Sequence, residues 1–271
     1  MQTMQAEGLT STYGEKTLFD NVSFTINEND RIGLIGVNGS GKTSLLNVIS
    51  KRTSPERGSI TTPNDYTIGY LQQQPALDPT KTIMDAIFEG DQPVFKTIRE
   101  YELALDRFSN HPEDPQAMDQ YTKLQAKMDQ EDAWEADSRV KTILTQLKIK
   151  NVSQKVSELS GGQQQRVGVA RALAADPSVT LFDEPFGAID AITRSELQEE
   201  LLTIHKTYPN KTFVFITHDI YEAFKLGTRV MIMDEGKIAQ FDTPEAILKK
   251  PANDFVKRLL DTAKNQESLW G

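Results

Sequence analysis

The sequence contains no cysteine. That excludes disulfide bonds and thiolate metal sites, and it fits a reducing compartment. No apolar run approaches the ~18 residues that a membrane-spanning helix needs, so no transmembrane segment is expected. The opening Met1-Gln-Thr-Met-Gln-Ala-Glu7 lacks a basic region and an apolar stretch, and so does not read as a signal peptide. Basic residues are outnumbered: 30 Lys and Arg against 39 Asp and Glu give a net charge of −9. This argues against a general affinity for nucleic acid and leaves a local basic patch open. Histidine is scarce, with three in the chain, so each is weighed below. The remaining composition is ordinary for a water-soluble fold. A length of 271 residues suffices for one large domain, or one and a half small ones.

Against these absences stands Gly36-Val37-Asn38-Gly39-Ser40-Gly41-Lys42-Thr43. It matches the phosphate-binding pattern G-x-x-x-x-G-K-[ST] at every fixed position. Arg31 to Ile35 before it reads as a buried strand. The stretch after it reads as a helix starting at Lys42, with Leu45, Leu46 and Ile49 on one face. Gly36, Gly39 and Gly41 let the backbone curl so that its N–H groups point at phosphate oxygens. The helix start adds its positive end. Lys42 reaches the β- and γ-phosphates, and the Thr43 hydroxyl suits Mg²⁺. A chance glycine-rich turn would not be expected to bring the strand and the helix with it.

Residues 4–35 read as short strands, with Val22 to Ile26 alternating and Asn27 to Asp30 turning. Tyr13 lies in a loop beside them; its ring could stack on adenine, or be ordinary half-buried surface. Gly58 to Thr61 and Thr67 to Tyr70 are two further strand signals, and Leu71-Gln-Gln-Gln-Pro75 then leaves the sheet. A glutamine there can reach a metal and a γ-phosphate through its side-chain carbonyl. Residues 81–150 change to helical spacing, in Ile98, Tyr101, Leu105 and Phe108, then Ala117, Tyr121, Leu124 and Met128, then Val140, Ile143, Leu144 and Leu147. Asn110 to Pro115 breaks the first two apart. This is a helical subdomain inserted in an α/β core, and His111 is a solvated loop residue.

Leu159-Ser-Gly-Gly-Gln163 opens another apolar helix, an N-terminal anion site that Arg166 and Arg171 are expected to support. Ser178 to Glu184 is a buried strand ending in two carboxylates, which are costly there unless something binds them. Asp183 would hold Mg²⁺, and Glu184 would orient and deprotonate an attacking water. The alternative is a strand that merely ends in solvated acids. Gly187-Ala-Ile-Asp190 leads into a helix carrying Leu197, Leu201 and Ile204. Thr212 to Thr217 is an apolar strand with His218 at its end, placed to hydrogen-bond a γ-phosphate and the water. His205 reads as structural. Residues 228–242 form two strands about a Glu235-Gly236 turn; two helices follow, and 264–271 is expected to be a tail.

Taken in order, these pieces resemble the ATP-binding cassette (ABC) ATPases over nearly the whole chain. The resemblance implies an α/β P-loop cassette with a RecA-like core, an antiparallel β-subdomain and an inserted helical subdomain. A single nucleotide-binding domain would span 1–263, with 1–80 and 160–263 as core and 81–159 helical. Tyr13 is similar to the family's A-loop aromatic, 36–43 to Walker A, Gln73 to the Q-loop glutamine and 159–163 to the signature. Residues 179–184 resemble Walker B, 188–190 the D-loop, and His218 the switch histidine. The implied cofactors are ATP and Mg²⁺. Nucleotide contacts would come from Tyr13, Gly36, Asn38, Gly39, Ser40, Gly41, Lys42, Thr43, Ser44, Ser160, Gly161, Gly162, Gln163 and Asp190. The cation would sit on Thr43, Gln73 and Asp183, and Glu184, His218, Gln73 and Lys42 would serve catalysis.

Within the family the two ends differ. Gly69-Tyr-Leu-Gln-Gln73, Asp132-Ala-Trp-Glu135 with Ser138-Arg139, and Val152 to Val156 resemble the first cassette of an ABC-F protein, the class that acts on ribosomes. Gly162 to Gly168, Asp183 to Gly187, Thr217 to Ile220 and Pro251 to Phe255 resemble an osmoprotectant importer ATPase. At 187–190 an ABC-F cassette is expected to read Asn-His-Leu-Asp, and this chain reads Gly-Ala-Ile-Asp. The expectation is a chimera joined near 160; a single divergent cassette is the alternative. The family works as a head-to-tail dimer, and one chain here has one Walker A and one signature. A second copy of itself is therefore the expected partner. A membrane permease subunit and the ribosome are weaker ones, because the segment that would dock on a permease is ABC-F-like and the second cassette of an ABC-F protein is missing. The expected location is cytoplasmic, or membrane-peripheral with a permease. An ATP-dependent interaction module with little hydrolysis is the rival function.

Overall fold

The computed structural model describes residues 3–90 and 92–267. The chain divides into two compact units, Met1–Gln74 with Asp176–Gly271, and Pro75–Ala175. In the first unit, β1 (Thr3–Tyr13) and β2 (Lys16–Asn27) form a long antiparallel hairpin, and β4 (Arg57–Thr61) pairs on the other edge of β1. Met4, Ala6 and Leu9 point inward from β1, and Phe19, Val22, Phe24 and Ile26 from β2. That one-sided burial is what an alternating strand buys when one face is wet.

The second sheet of this unit runs β5-β6-β7-β3-β8-β9. Its members are β3 (Arg31–Gly36), β5 (Ile68–Leu71), β6 (Val179–Asp183), β7 (Thr212–Ile216), β8 (Arg229–Asp234) and β9 (Lys237–Asp242). All neighbours are parallel except β8 and β9, which turn about Glu235-Gly236. Every residue of β6 and β7 is buried, which is why both sequences are apolar runs rather than alternations. Helix α1 (Lys42–Ile49) packs Leu45, Leu46 and Ile49 between the two sheets, in one cluster with Phe19, Leu34, Leu181 and Val214. On the opposite face, α8 (Ile220–Leu226) and α10 (Asp254–Glu267) cover Ile35, Val230 and Ile232 with Ala223, Val256 and Leu260. A side chain on Gly33 would meet the Cβ of Ala223 at 2.8 Å, so β3 must carry glycine for α8 to seat. Helix α7 (Ala191–Thr207) buries Leu197, Leu201 and Ile204, and α9 (Pro244–Lys249) buries Ile247.

The second unit is helical: α2 (Ile83–Ile87), α3 (Pro93–Asn110), α4 (Pro115–Gln130), α5 (Trp134–Gln146) and α6 (Gly161–Ala174). The break between α3 and α4 is made by sequence. His111 ends α3, the Asp114 carboxylate accepts from the Gln116 N–H at 2.9 Å, and Pro115 takes the first helical position, where no N–H is needed. Phe108 then stacks on Tyr121 at 5.2 Å, and Tyr101 meets Trp134 edge-on at 5.1 Å. Among the described residues no helix is long and apolar enough to cross a membrane.

Four expectations change. Tyr13 ends a strand rather than lying in a loop, because the inward-facing Met4, Ala6 and Leu9 commit the whole segment to pairing. The helix after Ser160 belongs to the helical unit, which runs to Ala175 rather than to 159; α6 packs against α2 and α5. Helix α10 continues through Glu267, so the expected tail at 264–271 begins as helix, and 268–271 lie outside the described residues. Helices α2 and α8 were not anticipated at all.

Candidate functional site

The loop between β3 and α1 is shaped by its glycines. Gly39 and Gly41 take left-handed backbone conformations, φ 81° and 93°, which side-chain-bearing residues rarely adopt. A Cβ on Gly41 would also lie 2.3 Å from the Leu18 carbonyl oxygen. Gly41 caps α1 without any side-chain hydrogen bond, so the first-turn N–H groups are left to be met by something else. The Ser40 hydroxyl is buried with no hydrogen-bond partner. Lys42 is 7% exposed, and its ammonium donates back to the carbonyls of Gly36 at 2.8 Å and Val37 at 3.1 Å. Burial lowers its pKa, opposed by the nearby Glu184 and Asp183. Asn38 is exposed on the loop, and Thr43 and Ser44 open the helix, Thr43 facing solvent.

The carboxyl ends of β6 and β7 meet this loop. Asp183, 9% exposed, accepts from the Thr43 hydroxyl at 3.5 Å through Oδ1 and from the Tyr70 phenol at 3.2 Å through Oδ2. Desolvation holds its carboxyl above the ordinary aspartate pKa, partly countered by the hydrogen bond from Tyr70. The Tyr70 phenol is itself pushed up to about 12, mainly by burial and next by Asp183. Glu184 follows in a left-handed conformation, φ 47°, where the chain leaves the sheet. For a residue with a side chain this is a strained turn, of the kind that gathers at functional sites. The Gln73 amide donates to Glu184 Oε2 at 3.1 Å, and His218 Nδ1 stands 3.9 Å from the same oxygen. So Lys42, Thr43, Gln73, Asp183, Glu184 and His218 are brought to one place, by strands that sit side by side in the sheet.

Oxygen donors dominate this place. Thr43 Oγ1 and Asp183 Oδ1 face each other, and Gln73, having donated through Nε2, keeps its carbonyl oxygen. Among the described residues no three His, Cys, Asp or Glu side chains gather to form a metal cage. The set suits Mg²⁺, which takes few protein ligands and completes its shell with water and phosphate oxygens, better than it suits zinc. The unpartnered Ser40 hydroxyl, the uncapped helix start and the inward ammonium suit a polyphosphate.

The other expected contacts are placed separately. Tyr13 is 80% exposed at the tip of the β1–β2 hairpin. Asp190 is the N-cap of α7; its Oδ1 accepts from the N–H groups of Ile192 and Thr193, and Oδ2 from the Thr193 hydroxyl at 2.6 Å. These bonds, led by the one from the Thr193 hydroxyl, hold its carboxyl below the usual range. Ser160, Gly161, Gly162 and Gln163 open α6 in the helical unit. There Ser160 and Gln163 cap each other, Gln163 Oε1 accepting from the Ser160 N–H at 2.9 Å. Arg171 does not support that start. It lies in the last turn of α6, donating to the Ala76 carbonyl at 2.9 Å, because ten residues of helix separate the two ends by roughly 15 Å. His205 is buried beside Arg31 and edge-on to Phe213, a structural position as expected. The residue that the sequence reading missed is Tyr70. Its place follows from the β5–β6 register, which puts it on the same face as Asp183.

A family profile described as ABC transporter matches residues 19–187, a stretch that carries the phosphate loop and both carboxylates. The chain belongs to the ABC transporter family. An ABC transporter ATP-binding protein of Bacillus subtilis, YfmR, described as uncharacterized, is 39% identical over 270 residues, covering 99% of this chain and 42% of that protein. The carnitine transport ATP-binding protein OpuCA of Listeria monocytogenes is 36% identical, covering 94% of this chain and 58% of that one. The osmoprotectant import ATP-binding protein OsmV of Salmonella typhimurium is 34% identical, covering 93% and 62%. The chain thus spans about half the length of the curated relatives it matches. Among solved structures, a dimeric ATP-binding cassette in a post-hydrolysis state with ADP and Pi superposes with a TM-score of 0.63 at 25% identity, over 89% of this chain and 98% of that one. A nucleotide-free cassette from an ABC transporter gives 0.69 at 22% identity, over 94% and 97%. The family fold, an α/β P-loop cassette, is therefore that of this chain.

Proposed function

We propose that this chain binds and hydrolyses Mg·ATP, and does so as a head-to-tail dimer with a second copy of itself. The observation that carries the first half is the meeting of the uncapped glycine loop with Asp183, Glu184, Gln73 and His218. Lys42 exchanges its two loop carbonyls for phosphate oxygens. Thr43, Asp183 and Gln73 hold the cation, which supplies charge neutralisation on the phosphates when bound. Glu184 takes a proton from the attacking water, Gln73 and His218 keep that carboxylate in place, and Tyr13 offers a face to the base. The dimer is supported by the self-contained start of α6, which resembles the family signature, and by the dimeric cassette of like fold. Ser160, Gly161, Gly162 and Gln163 of one copy would face the nucleotide of the other, with Asp190 at the same interface.

Importer-type relatives favour a role as the nucleotide-binding subunit of a solute importer, working at the cytoplasmic side of a membrane permease. The ABC-F character of residues 13–158 and a join near 160 rest on the sequence motifs alone. The uncharacterized ATP-binding protein and the importer ATPases each align across nearly the whole chain, through residue 160, which gives the chimera no support. A ribosomal partner has none either.

The test is phosphate release from ATP against protein concentration. A rate per subunit that rises with concentration is the expected result, with Glu184→Gln reducing it by at least about a hundredfold. A flat, near-zero rate would favour the binding-module reading instead.

A further inference from the structure

Tyr70 lies opposite Leu181 in the parallel pair of β5 and β6. Leu181 and Asp183 share a face of β6, because side chains alternate along a strand. The ring therefore runs forward along the sheet to the acid, and the phenol reaches Asp183 Oδ2 at 3.2 Å. A second acceptor, the Asn47 side-chain carbonyl on α1, is 3.5 Å away, at the limit of a hydrogen bond. A phenol has one proton, and the closer, charged oxygen takes it. The ring is fixed from its other side by the Arg52 guanidinium, 3.8 Å from the ring centroid. Asp183 has two oxygens: Tyr70 holds one, and the other is turned to Thr43.

We propose that Tyr70 is a positioning residue for Asp183, locking one carboxylate oxygen so that the other is presented with Thr43 as a ready-made pair of ligands for a divalent cation. It acts through Asp183 and does not touch the cation or the nucleotide. The inference rests on the reading of Asp183 as a cation ligand. Without the phenol the carboxylate is free to rotate, and part of the cation's binding energy goes into fixing it.

The experiment measures the affinity of the intact protein for a fluorescent, non-hydrolysable ATP analogue, in EDTA and across a Mn²⁺ titration. Mn²⁺ takes the same oxygen ligands as Mg²⁺. In the parent, Mn²⁺ tightens binding. Tyr70→Phe keeps the ring and its contact with Arg52; it is expected to lose about tenfold of that tightening, the size of one hydrogen bond to a charged group, with the EDTA affinity unchanged. Asn47→Ala, which removes the competing acceptor, is expected to keep the parent's Mn²⁺ effect. A Tyr70→Phe protein that responds to Mn²⁺ as the parent does overturns the inference, whether or not its melting temperature has fallen. So does an Asn47→Ala protein that loses as much as Tyr70→Phe. A parent that binds no analogue, or binds it without any Mn²⁺ effect, contradicts the proposed function itself.

Discussion

Two helix starts in this chain are built around glycine, α1 capped by Gly41 and α6 opening with Gly161 after Ser160, and they are finished differently. The α1 start has no side-chain cap, a buried hydroxyl without a partner at Ser40, and two left-handed glycines, of which Gly41 is wedged against the Leu18 carbonyl. The α6 start closes on itself: Ser160 and Gln163 satisfy each other, and the Gln164 amide donates to the Leu159 carbonyl at 3.2 Å. Around Gly161 there is open space, with nothing within 4 Å of where a Cβ would stand. A helix start that is incomplete in its own unit points to a ligand held there. One that is complete, glycine-rich and open has no local use for its glycine; in the proposed dimer the absence of a side chain would leave room for the second copy.

The largest effect that sharpens this contrast is expected from Gly41→Ala. A φ of 93° and a backbone oxygen 2.3 Å from the new Cβ force the loop to move. The variant should lose nucleotide affinity by more than about tenfold and stability by about 1–3 kcal/mol, read by titration calorimetry and thermal melting. Parent-like binding would erase the distinction between the two starts. Gly161→Ala comes next. Its melting temperature and single-chain nucleotide affinity should stay at parent values, while ATP turnover falls by at least about tenfold, because the added methyl meets only an incoming copy. Unchanged turnover would show that the α6 start is a plain helix cap.

The smallest effect serves as a control away from both starts. Burial, and next the Arg31 guanidinium, push the His205 pKa below 6.5. With the folded value below the unfolded one, the unfolded chain binds the extra proton first, so stability is full above about 6.5 and falls as pH drops through it. Melting at pH 7.5 and 5.5 should show this loss, and His205→Gln should flatten it; a slope that persists would assign the pH sensitivity to another group.

What could be read in the sequence followed the strength of local rules. The loop at 36–43 and the buried strands β3, β6 and β7 were legible because fixed spacing and unbroken apolar runs leave few alternatives. The acids at 183 and 184 were legible by their cost at the end of such a strand. Helices α2 and α8 were not, at five and seven residues; neither shows a full helical period, and both exist because Ala86 and Ala223 pack against neighbours. Tyr13 was misplaced because β1 buries one face through irregular pairing, with register shifts between Ala6 and Thr12 that hide the alternation. The unit boundary at 175 was missed because α6 carries a motif of the site and packs with the helical unit. Tyr70 needed the β5–β6 register, which a sequence does not state.

Two copies are proposed to complete each other's site around ATP. Light scattering on Glu184→Gln, with and without Mg·ATP, tests it most directly. A monomer is expected without nucleotide, near the chain mass of 30.4 kDa, and twice that mass with Mg·ATP. A monomer in both conditions would contradict it.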